Sequence, residues 1–575
     1  MKIINVKSPK TTFRFKLSDK ALYIAPRKQE KRRICGWVKI AGLATFEGSK
    51  KLFVVINVKD EAGAVQHLYI NRGEFRRKDK TMAFLAEHWR DCPHREDEDA
   101  LFAYLTSFNP KQTIILMPRT GWLEKAYVFP EKVIGESSLT PHYLPSEEAT
   151  TRSSGCSGSL AAWKDGVARL AKCSDRLTFC LSASFAALIL KHINGEGSCT
   201  FHLFANSGNG KTTAQIAAQS IHGLAKRDEL PHWGATQVRL DELAAEHCDR
   251  VLVLDEIVRL GSTDRQIAER AQAASYKFAS GVGKLRSVHY GKAGNPTSWR
   301  TIVISSGEFS LHEKAEAIGK DRLRGDLVRL IDVPATASKE HGIFNKVPAK
   351  MKNSAEAVAA LEDAASSNYG YPSRAFVRAF AANVPVNAAA IEADIRAFLK
   401  KAKVPADKWE QRFARKFAIV YAAGTFAVGC KLVPWSTNWV FKSVRRCYRM
   451  ARGSIPDHEA LVKGAMLAIH RELAKPSVVV DLDQGKAKAQ AIAEAGAFLK
   501  TDPKKGAYFA VRPEVAQTWI GDKVSLPMVL QQLDKDKLLL KTQSNVMTKP
   551  VLIKGIKGKR RYLCILRKEF LSAYK

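Results

Sequence analysis

Four short apolar runs, separated by segments with helical periodicity, organise the middle of the chain. They lie at residues 200–205, 251–255, 301–305 and 327–333. A continuous apolar run is typical of a strand that is buried on both faces of a parallel sheet. Buried strands that alternate with helices indicate a doubly wound α/β domain. We therefore predict an α/β core domain over residues 158–335.

The N-terminal part has a different pattern. Two alternating segments, residues 52–58 and 64–70, flank the turn sequence Asp60-Glu61-Ala62-Gly63 and predict a hairpin. Helical patterns follow near residues 76–90 and 97–107, and strand patterns at 113–117 and 127–129. We predict an α+β N-terminal domain over residues 1–150, joined to the core by a linker at 146–159 that is rich in Ser, Thr, Gly and Glu.

Two further domains are expected after the core. Residues 336–455 are alanine-rich and helical in pattern, and residues 456–575 begin with helices near 458–473 and 526–533. Strand patterns at 538–542, 551–556 and 560–566 follow, with a basic turn in the last pair. Helices followed by a basic hairpin resemble a winged helix, so we predict a winged-helix-like nucleic-acid-binding domain. The alternative is a small α+β cap domain whose hairpin only aids solubility.

A loop after the first apolar run carries the strongest chemical signal. It reads Ser207-Gly208-Asn209-Gly210-Lys211-Thr212-Thr213 and leads into an amphipathic helix. Strand, glycine-containing loop and helix are the context of a phosphate-binding loop, whose backbone N–H groups wrap polyphosphate oxygens. Lys211 would reach the terminal phosphates and Thr212 would bind Mg²⁺. We predict ATP and Mg²⁺ as cofactors, although Ala205 replaces the usual first glycine of such loops.

The second apolar run ends in an acidic pair, Asp255-Glu256. Such a strand end falls at the crevice where α/β sheets bind ligands. Asp255 would hold Mg²⁺, and Glu256 would orient and deprotonate an attacking water. The third run ends in Ser305 and Ser306, where such ATPases place a polar sensor of the γ-phosphate. Ordinary strand-end serines are an equally good interpretation.

Charge points to a polyanionic partner. The 575 residues carry a formal net charge of +35, and such self-repulsion is costly unless a polyanion offsets it. We expect DNA, as a single strand or fork, with RNA not excluded. A membrane surface is the competing interpretation, but no lipidation motif or strongly basic amphipathic helix supports it, and no apolar stretch is long enough to cross a bilayer, so we expect no membrane association. The ten scattered cysteines form no Cys-x-x-Cys pair, which favours a reduced, cytoplasmic setting.

Two basic segments are candidate nucleic-acid contacts. The first lies between the acidic pair and the third strand, is bracketed by glycines, and predicts a protruding hairpin. The second is the turn and strand near residue 560. The alternative for the first is a solvated surface loop. The candidate phosphate- and base-contacting residues are Lys284, Arg286, His289, Tyr290, Lys292, Lys557, Lys559, Arg560 and Arg561.

Several short motifs together resemble the domain-of-unknown-function family nine-two-seven, typified by self-loading replicative helicases on mobile chromosome cassettes. That family is related to the MCM and superfamily-three helicases of the AAA+ class. The resemblance covers residues 30–450. It is carried by Gly121-Trp122, Val128-Phe129-Pro130, Ile134-Gly135, residues 160–163, Phe185-Ala186, Phe201-His202-Leu203, Gly210-Lys211-Thr212-Thr213, Trp233, Ala235, Thr236, Leu254-Asp255-Glu256, Tyr276, Gly281, Gly283-Lys284, Arg286, Trp299-Arg300, Ser306-Gly307-Glu308, residues 328–335, residues 421–424 and Pro434-Trp435.

The resemblance implies an AAA+ P-loop ATPase core that assembles as a homo-hexamer. A neighbouring subunit then supplies an arginine finger, for which Arg329 is the first candidate and Arg324 the second. The hairpin at 284–292 would point into the central pore of the ring. Since no primase-like segment precedes residue 1, we expect a separate primase or polymerase to supply priming.

Three functions remain open at this point. The first is an ATP-dependent DNA helicase that acts in the replication of a mobile genetic element. The second is a DNA-binding switch or loader that uses ATP without unwinding. The third is a packaging or defence ATPase on the same ring scaffold. Fold alone does not choose among them.

Overall fold

The computed structural model divides into two compact units, Met1–Arg452 and Gly453–Lys575. None of the helices that it describes is long and apolar enough to cross a membrane. The residues described are 2–7, 12–25, 30–47, 49–110, 112–144, 154–195, 197–283, 298–318, 322–455, 458–483, 489–521, 524–541, 546–553, 556 and 558–574.

Three sheets and three helices form the N-terminal part of the first unit. One sheet is an antiparallel meander of four strands, one has five strands in the order β12-β8-β5-β6-β7, and one has three in the order β11-β10-β9. The elements are β1 (Lys2–Lys7), β2 (Thr12–Leu17), β3 (Ala21–Ile24), β4 (Arg32–Gly36), β5 (Val38–Phe46), β6 (Phe53–Lys59), β7 (Val65–Asn71), α1 (Arg72–Phe75), α2 (Lys78–His88), α3 (Glu98–Thr106), β8 (Thr113–Met117), β9 (Gly121–Leu123), β10 (Ala126–Val128), β11 (Val133–Ile134) and β12 (Thr140–Tyr143).

The predicted hairpin is confirmed, because β6 and β7 pair antiparallel from Phe53 opposite Asn71 to Lys59 opposite Val65. The small sheet β9–β11 is anchored to the next part of the chain. There the backbone N–H of Trp122 donates to Oδ2 of Asp249 at 3.0 Å. A Cβ on Gly121 would lie 2.8 Å from the same oxygen, so the close approach requires glycine.

A four-stranded parallel sheet, in the order β14-β15-β13-β16, forms the centre of the first unit. The predicted parallel strands are therefore confirmed, except that residues 327–329 are not strand, since a helical turn closes just before Leu330. The elements are α4 (Leu160–Trp163), which continues through a π-helical turn at Lys164–Ala168 into α5 (Arg169–Ala171), α6 (Asp175–Ala187), β13 (Cys199–Phe204), α7 (Lys211–Ser220), α8 (Gln237–Glu246), β14 (Arg250–Leu254), α9 (Asp264–Ser280), β15 (Thr301–Gly307), α10 (Leu311–Ala317), α11 (Arg324–Leu327) and β16 (Leu330–Pro334).

Helices follow, as the alanine-rich pattern predicts. They pack onto the central sheet through aromatic side chains, with the ring of Phe417 5.3 Å from Phe201 of β13 and 5.7 Å from Phe179 of α6. The helices are α12 (Ser354–Ser367), α13 (Tyr371–Ala381), α14 (Val384–Lys401), α15 (Lys408–Gly429) and α16 (Thr437–Gly453).

The second unit is built on a five-stranded sheet, in the order β17-β18-β19-β21-β20. The pairing of the predicted basic hairpin is confirmed, since β20 runs antiparallel to β21, but β20 lies at Lys549–Leu552 and not at 551–556. Of the strand predicted at 538–542, the described residues 538–541 form one isolated bridge, from Leu539 to Ile565, rather than a strand. The elements are α17 (His458–Leu473), β17 (Val479–Asp481), α18 (Ala489–Glu494), β18 (Ala497–Asp502), β19 (Gly506–Val511), α19 (Pro513–Ile520), α20 (Leu526–Lys535), β20 (Lys549–Leu552), β21 (Lys559–Leu566) and α21 (Arg567–Ala573).

Candidate functional site

The loop between β13 and α7 has the backbone of a tight cradle. Gly208 and Gly210 have φ values of +79° and +81°, which favour glycine, and a Cβ on Gly210 would lie 2.6 Å from Cγ2 of Ile343. Ala205 does not have a positive φ, so its methyl group is tolerated where related loops carry glycine. The sequence departure at Ala205 therefore does not prevent the turn.

Two side chains at the end of the loop already form hydrogen bonds within the protein. Nζ of Lys211 donates to the backbone carbonyls of Ala205 at 2.7 Å and Asn206 at 2.9 Å. Partial burial lowers the pKa of the Lys211 ammonium, with Glu308 and Asp255 opposing this effect. The hydroxyl of Thr213 is buried and donates to Oε1 of Glu362 at 2.6 Å. Thr212, which is partly exposed, is therefore better placed than Thr213 to offer its hydroxyl to a ligand.

The acidic pair follows the end of β14. The hydroxyl of Ser306 donates to Oδ1 of Asp255, and the backbone N–H of Glu256 donates to the Ser306 oxygen at 3.1 Å. Glu256 has a φ of +54°, which is uncommon for a residue with a side chain. Its half-exposed carboxylate forms an ion pair with Nε of Arg259. The strained backbone turns this carboxylate toward solvent at the end of the strand.

Ser305 and Ser306 have different surroundings. Ser305 is fully buried, and its oxygen lies 2.8 Å from Nε1 of Trp233 and 2.9 Å from Nδ1 of His202. Because Nε2 of His202 donates to the carbonyl of Phe309 at 3.0 Å, Nδ1 must accept from Ser305. Burial lowers the pKa of His202, which favours this neutral form. Of the two candidate sensors, Ser306 is the one hydrogen-bonded to the acidic pair, and the sensor role itself stays a prediction.

A cavity of about 830 Å³ unites these residues. It has the size of a small-molecule site. The predicted residues that line it are Ser207, Gly208, Asn209, Gly210, Lys211, Thr212, Thr213, Asp255, Glu256 and Ser306. Residues that sequence reasoning did not assign to the site also line it: Arg227, Asp228, His232, Val258, Arg259, Glu308, Phe309 and Val358. Of these residues, Glu308 is the one whose position in the sequence could have predicted a place in the site. It follows the third buried strand, as Asp255 and Glu256 follow the second.

Arg329 does not line this cavity. Its guanidinium lies over the ring of Tyr276 at 4.5 Å and donates to the carbonyl of Gly325 at 2.8 Å. It lines a separate cavity near Val282 and Gly283. Arg324 is exposed and lies over the ring of Trp409 at 5.7 Å. Neither arginine acts on the phosphate loop of its own chain in this structure.

Most of the predicted hairpin lies outside the described residues, including Lys284, Arg286, His289, Tyr290 and Lys292. Its base is described. Val282 and Ser298 form an antiparallel bridge, and the backbone N–H of Trp299 donates to the carbonyl of Gly281 at 2.8 Å. Residues 281–282 and 298–299 therefore lie side by side, as the base of the predicted hairpin requires.

The basic strand of the second unit is described except for Lys557. Lys559 and Arg560 are exposed on β21. Arg561 is held against Thr548, to whose hydroxyl and carbonyl its guanidinium donates, both at 2.9 Å. Adjacent positive charges therefore lie at the start of β21, where it pairs with the edge strand β20.

Comparisons with known proteins give a family match and a fold match. The model of the family described as domain of unknown function (DUF927) matches residues 15–298. No curated protein sequence matches the chain. Among solved structures, the active helicase Cch of SCCmec type IV is similar, with a TM-score of 0.62 and 14% identity over 97% of this chain and 98% of that one. The C-terminal region of NrS-1 covers 72% of this chain and 92% of that one, with a TM-score of 0.29 and 12% identity.

The two informative matches concern different properties. The family match lies in the sequence from the N-terminal strands to the end of the predicted hairpin, and it agrees with the family that the motifs resemble. At 14% identity, the likeness to the SCCmec helicase shows a shared fold that extends over nearly the whole chain. The protein is thus a mixed α/β protein with a DUF927 match and the fold of the SCCmec helicase.

Proposed function

We propose that the protein is an ATP-dependent DNA helicase that acts in the replication of a mobile genetic element. One observation carries the proposal: a single cavity gathers the loop at 207–213, the acidic pair and Ser306. These groups come from the carboxyl ends of three adjacent parallel strands, β14, β15 and β13. That edge of an α/β sheet is where phosphate ligands bind.

Each group has a role in phosphoryl transfer. The loop N–H groups and Lys211 would cradle the phosphates, and Glu256 would activate the attacking water. The hydroxyl of Thr212 and the carboxylate of Asp255 are hard oxygen donors, which fit Mg²⁺. The ion would neutralise charge on the phosphates. The ion pair with Arg259 engages Oε2 of Glu256, and the half-exposed carboxylate keeps lone pairs that can accept from a water.

Assembly and nucleic-acid binding complete the proposal. We propose an AAA+ hexamer in which Arg329 acts on the nucleotide of a neighbouring subunit, which agrees with its position outside the cavity of its own chain. The net charge of +35 and the exposed Lys559 and Arg560 support DNA binding, and we propose a winged-helix role for the second unit. The likeness in fold to an active helicase supports unwinding as the output.

The experiment targets the segment between Gly283 and Ser298. The double variant His289→Ala, Lys292→Ala should lose strand displacement and stimulation by single strands, while ATPase activity without nucleic acid falls much less. Loss of all three together would mean that the segment supports the active site instead. Stimulated hydrolysis without any strand displacement by the parent protein would favour an ATP-driven switch, loader or packaging factor.

A further inference from the structure

A basic cavity on α16 lies apart from every site described above. It has a volume of about 320 Å³ and is lined by four basic side chains, Lys442, Arg445, Arg446 and Arg449, together with Asp175, Trp439, Ser443 and Met450. The basic residues recur at intervals of three and four, so they share one face of the helix. The opposite face is apolar and buried against the core, with Val440, Val444 and Cys447 each fully covered.

The positive charge of this cavity is not balanced within the protein. Asp175 is its one acidic lining residue, and that carboxylate is already shared: Oδ1 accepts from Arg176, and Oδ2 accepts from Arg446 at 2.9 Å and from Asn345 at 3.1 Å. Across the described ranges, no carboxylate forms an ion pair with Lys442, Arg445 or Arg449. Like charges three and four residues apart on one helix face destabilise it, so an external anion would stabilise this arrangement.

Buried polar atoms at the cavity also lack partners. Ser443 is 1% exposed, and its hydroxyl oxygen has no hydrogen-bond partner among the residues that the structure describes. The Nε atom of Arg445 is also buried, and it too has no hydrogen-bond partner among the described residues. A buried donor without a partner is costly, and both residues line the cavity in which an anion would bind.

The spacing of the cations selects the kind of anion. Lys442 and Arg449 are seven residues apart, which corresponds to about 10 Å along the helix. One phosphate group cannot contact both ends of such a row, whereas successive phosphates of a nucleic-acid strand can. Trp439 is partly exposed beside the row, and its indole N–H is fixed by Thr178 at 2.9 Å. Its ring is thus held where a base could stack.

We propose that the α16 cavity binds the phosphodiester backbone of a single nucleic-acid strand. This site is additional to the segment at 284–292 and to β21, and binding to it requires no ATP hydrolysis. The proposal rests on the proposed function and adds to it one further contact for a nucleic-acid strand.

The test measures binding of a fluorescent oligothymidylate to the full chain without nucleotide, by anisotropy at several salt concentrations. The variant is Lys442→Ala, Arg449→Ala, since both side chains are exposed. The matched control is Arg396→Ala, Lys400→Ala, which removes two exposed charges from one face of α14. We expect the variant to bind about tenfold more weakly or worse, as charged hydrogen bonds to phosphate are lost. The slope of log K against log salt should fall by about 1.4, or 0.7 for each phosphate contact.

The control variant should keep the salt slope of the parent protein and bind within about threefold of the parent affinity. Salt screens exposed charges that do not contact the oligonucleotide, so their loss has little effect. Thermal unfolding of both variants shows that they are folded. Equal affinity and slope in the two double variants would overturn the α16 site while leaving the helicase proposal intact. Absence of any oligonucleotide binding by the parent protein would overturn both.

Discussion

The hydroxyl of Ser306 donates a hydrogen bond to Oδ1 of Asp255, joining the ends of two neighbouring parallel strands. The hydroxyl oxygen of Ser306 also accepts from the backbone N–H of Glu256 at 3.1 Å. One serine therefore fixes the position of both acidic residues. A change at the end of β15 would be transmitted directly to the metal ligand and the base that we propose.

Ser306→Ala and Ser305→Ala form a matched pair of adjacent substitutions. Ser306→Ala should lower kcat for ATP hydrolysis by roughly tenfold or more, because Asp255 and Glu256 lose their shared partner. Ser305→Ala should leave more activity but reduce the free energy of unfolding by about 1–3 kcal/mol, since His202 and Trp233 lose a buried partner. Steady-state ATPase rates and denaturant unfolding of both variants check this. The reverse pattern would assign the sensor role to Ser305.

Lys211→Ala and Glu256→Gln should separate binding from chemistry. Without the Lys211 ammonium, the phosphates lose their cation and nucleotide affinity should fall. Glu256→Gln should keep ATP bound while turnover drops by about 10²–10⁴-fold, because the water loses its base. Binding of a fluorescent ATP analogue and single-turnover hydrolysis measure the two effects. Hydrolysis by Glu256→Gln at the parent rate would show that this carboxylate is not the base.

The two loop glycines should respond differently to alanine. Both have a positive φ, so each substitution costs about 1–2 kcal/mol of backbone strain. A Cβ at position 208 meets nothing within 4 Å, whereas one at 210 meets Ile343 at 2.6 Å. Gly210→Ala should therefore weaken nucleotide binding far more than Gly208→Ala. Adding Ile343→Ala should partly rescue the Gly210 variant, and failure of that rescue would argue against the clash as the cause.

Arg329 is expected to act between subunits. Arg329→Ala and Lys211→Ala should each be nearly inactive alone. In a mixture, some interfaces pair an intact Arg329 with an intact Lys211, so ATPase activity should partly recover. Full activity of Arg329→Ala by itself would exclude this residue, and Arg324 would then be tested in the same way.

Local signals predicted much of the core. A continuous apolar run is typical of a strand that is buried on both faces of a parallel sheet. This pattern predicts β13, β14 and β15, and the glycines and Lys211 predict the loop after β13. The side chain that faces the site is harder to predict, because adjacent strand residues alternate in direction. Ser305 and Ser306 look alike in sequence, and only the register of β15 against β13 and β14 separates them.

Interactions between distant residues could not be predicted from the sequence. The bond from Thr213 to Glu362 joins residues 149 positions apart, and no local pattern marks it. The meander β1–β4 was missed for a related reason: short strands with polar interruptions depend on tertiary packing more than on propensity. The roles of the site residues and of ATP are predictions that the variants above test.

The central claim is that ATP hydrolysis at this site drives strand separation. The most direct measurement follows release of a fluorescent strand from a forked duplex by the full chain with ATP and Mg²⁺, with Glu256→Gln as the matched control. The account predicts strand release by the parent protein that requires hydrolysable ATP, and none by Glu256→Gln although that variant still binds ATP and DNA. Strand release by Glu256→Gln at the parent rate, or ATP hydrolysis by the parent protein without strand release on any fork, would contradict it.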